Sequence, residues 1–295
     1  MYVFSENIRA AGLMVSSMLL YTLNDACLKA VGDTLPVFQS IFLRSIPVAI
    51  IFFGFFYISG LYKIRIGITD LKLLFLRAIA EIVSTFFFIS ALFKMPIANV
   101  ISIIQILPLT VSLAALFFLN ERVGWRRVLA IIVGFFGVLL IVRPGASDFN
   151  YYSSYALLAV VFVTIREIVT RRLSKEVPSF YVATTTAITV FIFSGFGAAS
   201  VNWLPVSFDD LVVLFAASTF LAGGYLFSVL AIRKGEISFV APFRYTSLLA
   251  ALFLGFFLFG EWPDGLTLMG ALIIFTAGIF SLYRERKIGL LKQAE

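Results

Sequence analysis

The chain has 295 residues, 61% of them hydrophobic and only 13% charged, with a mean hydropathy of +1.03 and a formal net charge of +7. A water-soluble domain is about half apolar and about a quarter charged, so one soluble core cannot hide this excess and a polytopic all-α membrane protein is expected. With one cysteine, Cys27, and no histidine, an intramolecular disulfide and the usual metal or nucleophile–base sets are excluded. No catalytic residue, metal or cofactor is assigned.

In chain order, ten apolar runs read as spanning helices: 8–31, 36–59, 70–93, 96–119, 123–142, 151–171, 179–201, 209–232, 237–259 and 265–283. Turn and helix-start residues punctuate them: Gly32-Asp33, Gly60, Pro96, Pro144-Gly145, Pro178, Pro205, Gly235 and Pro263. The runs are too long for strands and lack a period of two. The first begins near Ile8 and is longer than a signal-peptide core, so it reads as a span.

The stretch 70–122 returns without a gap as 210–262. Asp70 then meets Asp210, Lys94 meets Lys234, Ile97 meets Ile237 and Glu121 meets Glu261. The match extends to the first helices of each half with a small change of offset, laying Asp25 over Glu167, Lys29 over Arg171 and Pro36 over Pro178. Two five-helix repeats are expected, residues 1–145 and 146–295. An odd number of spans per repeat forces the second copy to enter the membrane from the opposite side, an inverted-topology repeat.

The basic residues give the orientation. With a cytoplasmic N-terminus only Lys29, Lys94 and Arg143 fall at the outer connections, and every other Lys or Arg outside the spans falls inside. Both termini are therefore expected in the cytoplasm, in a bacterial inner membrane.

Four of the 23 basic residues lie within spans, namely Arg44, Arg77, Arg166 and Arg244, together with the acids Asp25, Glu81 and Glu167. An ionisable group at bilayer depth is costly unless paired or wetted, which marks each as functional. At about 1.5 Å per residue, Arg44, Arg77 and Arg244 sit roughly 10–12 Å from the nearer helix end. Glu81 follows Arg77 by one turn, so the two either line a cavity or neutralise each other. The repeat sets Arg77 and Glu81 opposite Ala217 and Leu221, Arg44 opposite Thr186, and Arg244 opposite Ile104. These charges break the shared pattern, so a polar substrate cavity is assigned to Arg44, Arg77, Glu81 and Arg244. Gln105 and Tyr245, at equivalent positions in the two halves, are expected to add hydrogen bonds. Asp25 and Glu167, each followed one turn later by a base (Lys29, Arg171), are assigned to gating or coupling, or to end-of-helix ion pairs. Arg166 either snorkels or reaches the cavity. Pro108 and Pro242 weaken their helices, Gly134, Gly137, Gly270 and Gly278 suit close helix packing, and Phe86–Phe88 reads as packing surface.

The chain resembles the EamA-type drug/metabolite transporter superfamily. The likeness rests on the five-plus-five layout, on Phe118-Leu-Asn-Glu121-Arg122 and Leu258-Phe-Gly-Glu261-Trp262 ending the fourth and ninth helices, and on Asn24-Asp25-Ala26, Lys29 and Leu43-Arg44. The resemblance implies ten spanning helices around a central cavity lined by helices 1, 3, 4, 6, 8 and 9. It supports Arg77, Gln105 and Arg244 and leaves Arg44 outside that lining. Its members carry amino acids, carboxylates, purines, riboflavin, adenosylmethionine or nucleotide sugars, so it identifies the machine and not the cargo.

No GxxxxGK[ST] loop is present, and a gradient, a coupling proton or an exchanged solute is expected to drive alternating access. The excess of arginines suits a small organic anion or a zwitterion with a carboxylate. The alternative is a neutral aromatic cargo such as riboflavin, stacked on Tyr21, Tyr225 or Tyr245. Outside the carrier class stand a channel or membrane scaffold and, on an equal footing, a membrane enzyme. The expected partners are a small-molecule substrate and the lipid bilayer, not nucleic acid.

Overall fold

A computed structural model of the chain describes residues 2–119, 124–144, 150–174, 176–234 and 237–293, with the side chains of 2–5, 127, 232–234, 237–238 and 284–293 also left aside. Glu121 and the Lys234 side chain therefore lie outside the described residues. The described chain is helical: α1 (Tyr2–Ala30), α2 (Val37–Ile58), α3 (Ile68–Lys94), α4 (Ile97–Ile104), α5 (Leu107–Phe118), α6 (Trp125–Val142), α7 (Tyr152–Arg172), α8 (Ser179–Ala199), α9 (Phe208–Lys234), α10 (Ile237–Val240), α11 (Thr246–Phe259) and α12 (Gly265–Gln293). Short 3-10 turns stand at Leu61–Lys63 and Ala241–Tyr245. Among the described residues nine stretches are long and apolar enough to cross a membrane, and Val128–Val142 is a shorter apolar helix. This is an integral membrane protein.

Two of the expected spans are not continuous. The fourth divides into α4 and α5 at Gln105–Ile106, and the ninth into α10, a 3-10 turn and α11. Proline explains both. Pro108 cannot donate to the Ile104 carbonyl four residues back and its ring crowds that carbonyl, and Pro242 does the same to the carbonyl of Ser238. The tightened turns appear as Ile106 N–H donating to Ile103 at 3.2 Å and as the 3-10 geometry of Ala241–Tyr245.

The helices pair in antiparallel fashion. α1 packs along α9, α3 along α7, α2 along α8 and α6 along α12. Small residues set the closest approaches. A methyl on Gly270 would stand 2.5 Å from the Gly137 carbonyl oxygen, and one on Gly137 2.8 Å from that of Gly270, so α6 and α12 cross backbone to backbone. Gly224 lies under the Tyr21 ring, and its carbonyl accepts from the Ser17 hydroxyl at 2.7 Å, which ties α9 to α1. Phe86 stacks on Phe38 at 5.1 Å, in keeping with a packing role.

Contacts define two faces. The ends of α1, α3, α6 and α11 meet the starts of α4, α7 and α12 on the distal face; the ends of α5 and α7 meet the start of α3 on the basal face, where the N terminus lies. The distal face is tied by ions. Glu261 forms an ion pair with Lys29 at 3.0 Å, and its second carboxylate oxygen accepts the Ile97 N–H at 3.0 Å, capping α4. Lys29 also donates to the Met95 and Leu92 carbonyls at 2.6 and 3.3 Å and lies 5.4 Å from the Phe259 ring centroid. Beneath this latch, Leu28, Leu92, Ile97 and Ile101 form an apolar core. Nearby, Arg143 at the end of α6 pairs with Asp264 before α12. The Asp70 carboxylate accepts Ser174 N–H at 3.0 Å, and Asp210 accepts the Thr34 hydroxyl at 3.1 Å.

Candidate functional site

The in-span charges gather into two clusters. The larger lies in the basal half, between α3, α7 and α8. Because α3 and α7 run antiparallel in contact, Glu81 faces Arg166 and Arg77 faces Thr170. Arg166 Nη1 pairs with Glu81 at 3.0 Å and its Nη2 with Glu167 at 2.7 Å. Arg77 Nε donates to the Thr170 hydroxyl at 3.0 Å and its Nη1 to Thr186. The alternative of an Arg77–Glu81 pair gives way to Glu81–Arg166, since the neighbouring helix offers Glu81 a guanidinium head-on. Glu167 likewise takes Arg166 rather than the expected Arg171, and Arg166 points into the cluster instead of snorkelling. The hydroxyls of Thr170 and Thr186 were not singled out in the sequence. The signal for Thr170 is its place one turn after Arg166 and Glu167 on α7, and Thr186 is the repeat counterpart of Arg44 on α8.

The broken spans bring up the fourth guanidinium. Arg244 sits in the 3-10 turn, and its side chain is exposed although it lies within a span. Among the described residues its guanidinium has no ion-pair or hydrogen-bond partner. It lies close enough to Glu167 and the Tyr21 hydroxyl to interact with both electrostatically. Glu167 is 42% exposed, and among the described residues one of its two carboxylate oxygens is engaged. Two opposite charges, both solvent-accessible, thus stand near each other between spans.

Gln105 and Tyr245, equivalent in the repeat, are placed differently. Gln105 Nε2 donates to Ser247 Oγ at 3.0 Å and to the Arg244 carbonyl at 3.4 Å, so it ties the break of the fourth span to that of the ninth. Tyr245 is 2% exposed and turns away toward α12, edge-on to Phe275 with its hydroxyl against Gly278. Bulk explains the difference: the small groove at Gly278 accepts a phenol ring.

The second cluster lies in the distal half, between α1, α2 and α9. Asn24 Nδ2 donates to Asp25 at 2.9 Å, and Arg44 Nη1 donates to Asn24 Oδ1 at 3.2 Å. Ser218 donates to the Arg44 carbonyl at 2.8 Å. Arg44 is buried, with its Nε unpartnered, so it does not snorkel. The expected Asp25–Lys29 pair is absent because Lys29 is committed to Glu261 and two carbonyls. Among the described residues no group of three His, Cys, Asp or Glu is placed to hold a metal.

A family model described as the EamA-like transporter family matches residues 8–143 and again 151–283. The chain belongs to the EamA-like transporter family. It is 28% identical to an S-adenosylmethionine uptake transporter of Rickettsia felis, over 94% of this chain and 93% of that protein. It is 24% identical to the pseudopaline exporter CntI of Pseudomonas aeruginosa, over 93% and 96%, and 26% identical to a riboflavin transporter of Rhizobium johnstonii, over 68% and 67%. One solved crystal structure, 17% identical, covers 95% of this chain and 98% of its own with a TM-score of 0.65, a likeness of fold. This EamA-family protein is a membrane transporter and not an enzyme.

Proposed function

We propose that this protein is a secondary carrier for a small zwitterion bearing a carboxylate and an ammonium group, working by alternating access. The observation that carries the reading is the unpartnered, exposed Arg244 guanidinium near the half-engaged carboxylate of Glu167. A guanidinium fork takes a carboxylate through two parallel hydrogen bonds, and a free carboxylate oxygen takes an ammonium. Arg166 holds Glu167 in place, and Arg77 and Glu81 add to the local charge. S-adenosylmethionine, the cargo named for the Rickettsia relatives, has this head group and is the first probe. Riboflavin lacks both charges, and Tyr225, one of the rings that would stack on it, donates to the Ser179 carbonyl at the start of α8.

Alternating access is supported by the contrast between the faces. The Lys29–Glu261–Ile97 contacts tie the distal side together, while Arg244 and Glu167 are exposed in the basal half. An inverted repeat is supported by the two polar clusters, because Asn24, Asp25 and Arg44 correspond to Arg166, Glu167 and Thr186. The Lys and Arg excess on the basal side supports a cytoplasmic basal face with both termini there. The bacterial relatives favour the inner membrane.

The test is counterflow in proteoliposomes. Labelled S-adenosylmethionine should exchange against an internal unlabelled pool, and Arg244→Ala should reduce this at least tenfold with Arg244→Lys recovering part. Unchanged exchange in Arg244→Ala would remove the assignment.

A further inference from the structure

We propose that Asp25 is the proton-binding site of this carrier, and that Asn24 and Arg44 relay its charge state to the cargo site. The inference rests on the transporter reading, but the site is separate from the cargo-binding groups.

The repeat supplies the comparison. Glu167 is held by a direct ion pair from its neighbour Arg166, a contact that fixes the carboxylate in its ionised form. At the equivalent place, Asp25 has a neutral neighbour, Asn24, whose amide is its side-chain donor. Asp25 forms no ion pair among the described residues. The nearby cation, Arg44, reaches it only through the amide. An ionised carboxylate at bilayer depth with one neutral donor is poorly compensated, whereas its protonated form is at home there. The arrangement permits protonation where that at Glu167 opposes it.

The charged and titratable surroundings are few. Arg44 approaches from α2, with Glu81 of α3 beyond it, and Cys27 and Lys29 lie on α1 itself. Lys29 is held by Glu261. From α9 comes the uncharged Ser218, and α4, α10 and α11 contain no titratable side chain.

The same contacts show how a proton would be read. A proton from water forms an O–H bond on the Asp25 carboxylate, and no other covalent bond changes. The new hydroxyl donates to Asn24 Oδ1 once the amide inverts, and this displaces Arg44 Nη1 from its acceptor. Arg44 Nε is already without a partner and the side chain is 7% exposed, so the guanidinium must find another acceptor. Glu81 lies within its electrostatic range. Arg44 then competes with Arg166 for Glu81, which loosens Arg166 and alters the charge beside Glu167 and Arg244. Release of the proton to water on the other face restores the first arrangement.

Two measurements test this on the purified full-length protein. Infrared difference spectra between high and low pH, without cargo, should show a protonated-carboxylic-acid C=O band that disappears in Asp25→Asn. In Asn24→Leu the band should remain with a shifted midpoint. The same band in Asp25→Asn would overturn the proposal, and Asp25→Glu, which should move the band without abolishing it, serves if the amide variant does not fold. In proteoliposomes, an imposed pH gradient should change wild-type S-adenosylmethionine accumulation by up to about tenfold per pH unit for one coupled proton, and that of Asp25→Asn not at all. A wild-type response in Asp25→Asn would also overturn it. If neither protein moves S-adenosylmethionine, the cargo assignment fails while the infrared result still decides the proton site.

Discussion

Replacing Glu261 should open the distal face, and the size of the effect follows from its two contacts. One carboxylate oxygen caps α4 at Ile97 and the other pairs with Lys29, with side chains 25% and 9% exposed for Glu261 and Lys29. A hydrogen bond to a charged group contributes about 1.5–3 kcal/mol, and a partly exposed ion pair contributes less than about 1 kcal/mol. Lys29 keeps the Met95 and Leu92 carbonyls after the change, so no stranded charge adds to the loss. Glu261→Ala should therefore shift the closed–open balance by about 2–3 kcal/mol, roughly 30- to 150-fold. Glu261→Gln keeps an oxygen for the Ile97 N–H and should shift it no more than about fivefold, equivalent to about 1 kcal/mol. The assay is modification of Ile101→Cys, placed under the latch in a Cys27→Ser background, by a membrane-impermeant thiol reagent. Labelling should rise in the order wild type, Gln, Ala. Equal rates in all three would refute the latch.

Gly270→Ala would force a methyl to 2.5 Å from the Gly137 backbone oxygen. It should cost about 1–3 kcal/mol in thermal stability, whereas Gly265→Ala, with open space around it, should cost much less. The Arg143 hydrogen bond holds the Asp264 carboxyl down to about 2. Because this pKa is depressed below the unfolded value of about 3.9, the stabilisation is complete above that value and is lost as pH falls through about 2. The carboxylate is half exposed, so the contribution is below about 1 kcal/mol. A stability–pH profile of Asp264→Asn should differ from wild type above about pH 4 and converge with it near pH 2.

The spans were legible because a 20-residue apolar run has few other homes, and the two interruptions because proline at position 108 or 242 removes a defined hydrogen bond. The in-span charges were legible for the same reason: polarity in lipid is conspicuous. Their partners were not. One-turn spacing joined Arg77 to Glu81 and Asp25 to Lys29, but the facing helix decided otherwise. Glu81 meets Arg166 across α3 and α7, and Lys29 meets Glu261 at the distal face. Tyr245 shows the same limit. Its alignment with Gln105 suggested a shared role, yet the space left by Gly278 draws the ring behind the break. Sequence position locates a charge along its own helix, and packing between helices chooses the charge it meets.

A zwitterion site built on Arg244 and Glu167 should reveal itself in ligand-induced stabilisation. Ligand at 100 times its Kd stabilises a protein by about 2.7 kcal/mol, which a thermal-shift assay resolves. Purified protein should be stabilised by S-adenosylmethionine and not by its decarboxylated form or by riboflavin, and Arg244→Ala should abolish the shift. Equal stabilisation by the decarboxylated compound, or stabilisation by riboflavin alone, would rule out a site that holds the carboxylate through Arg244.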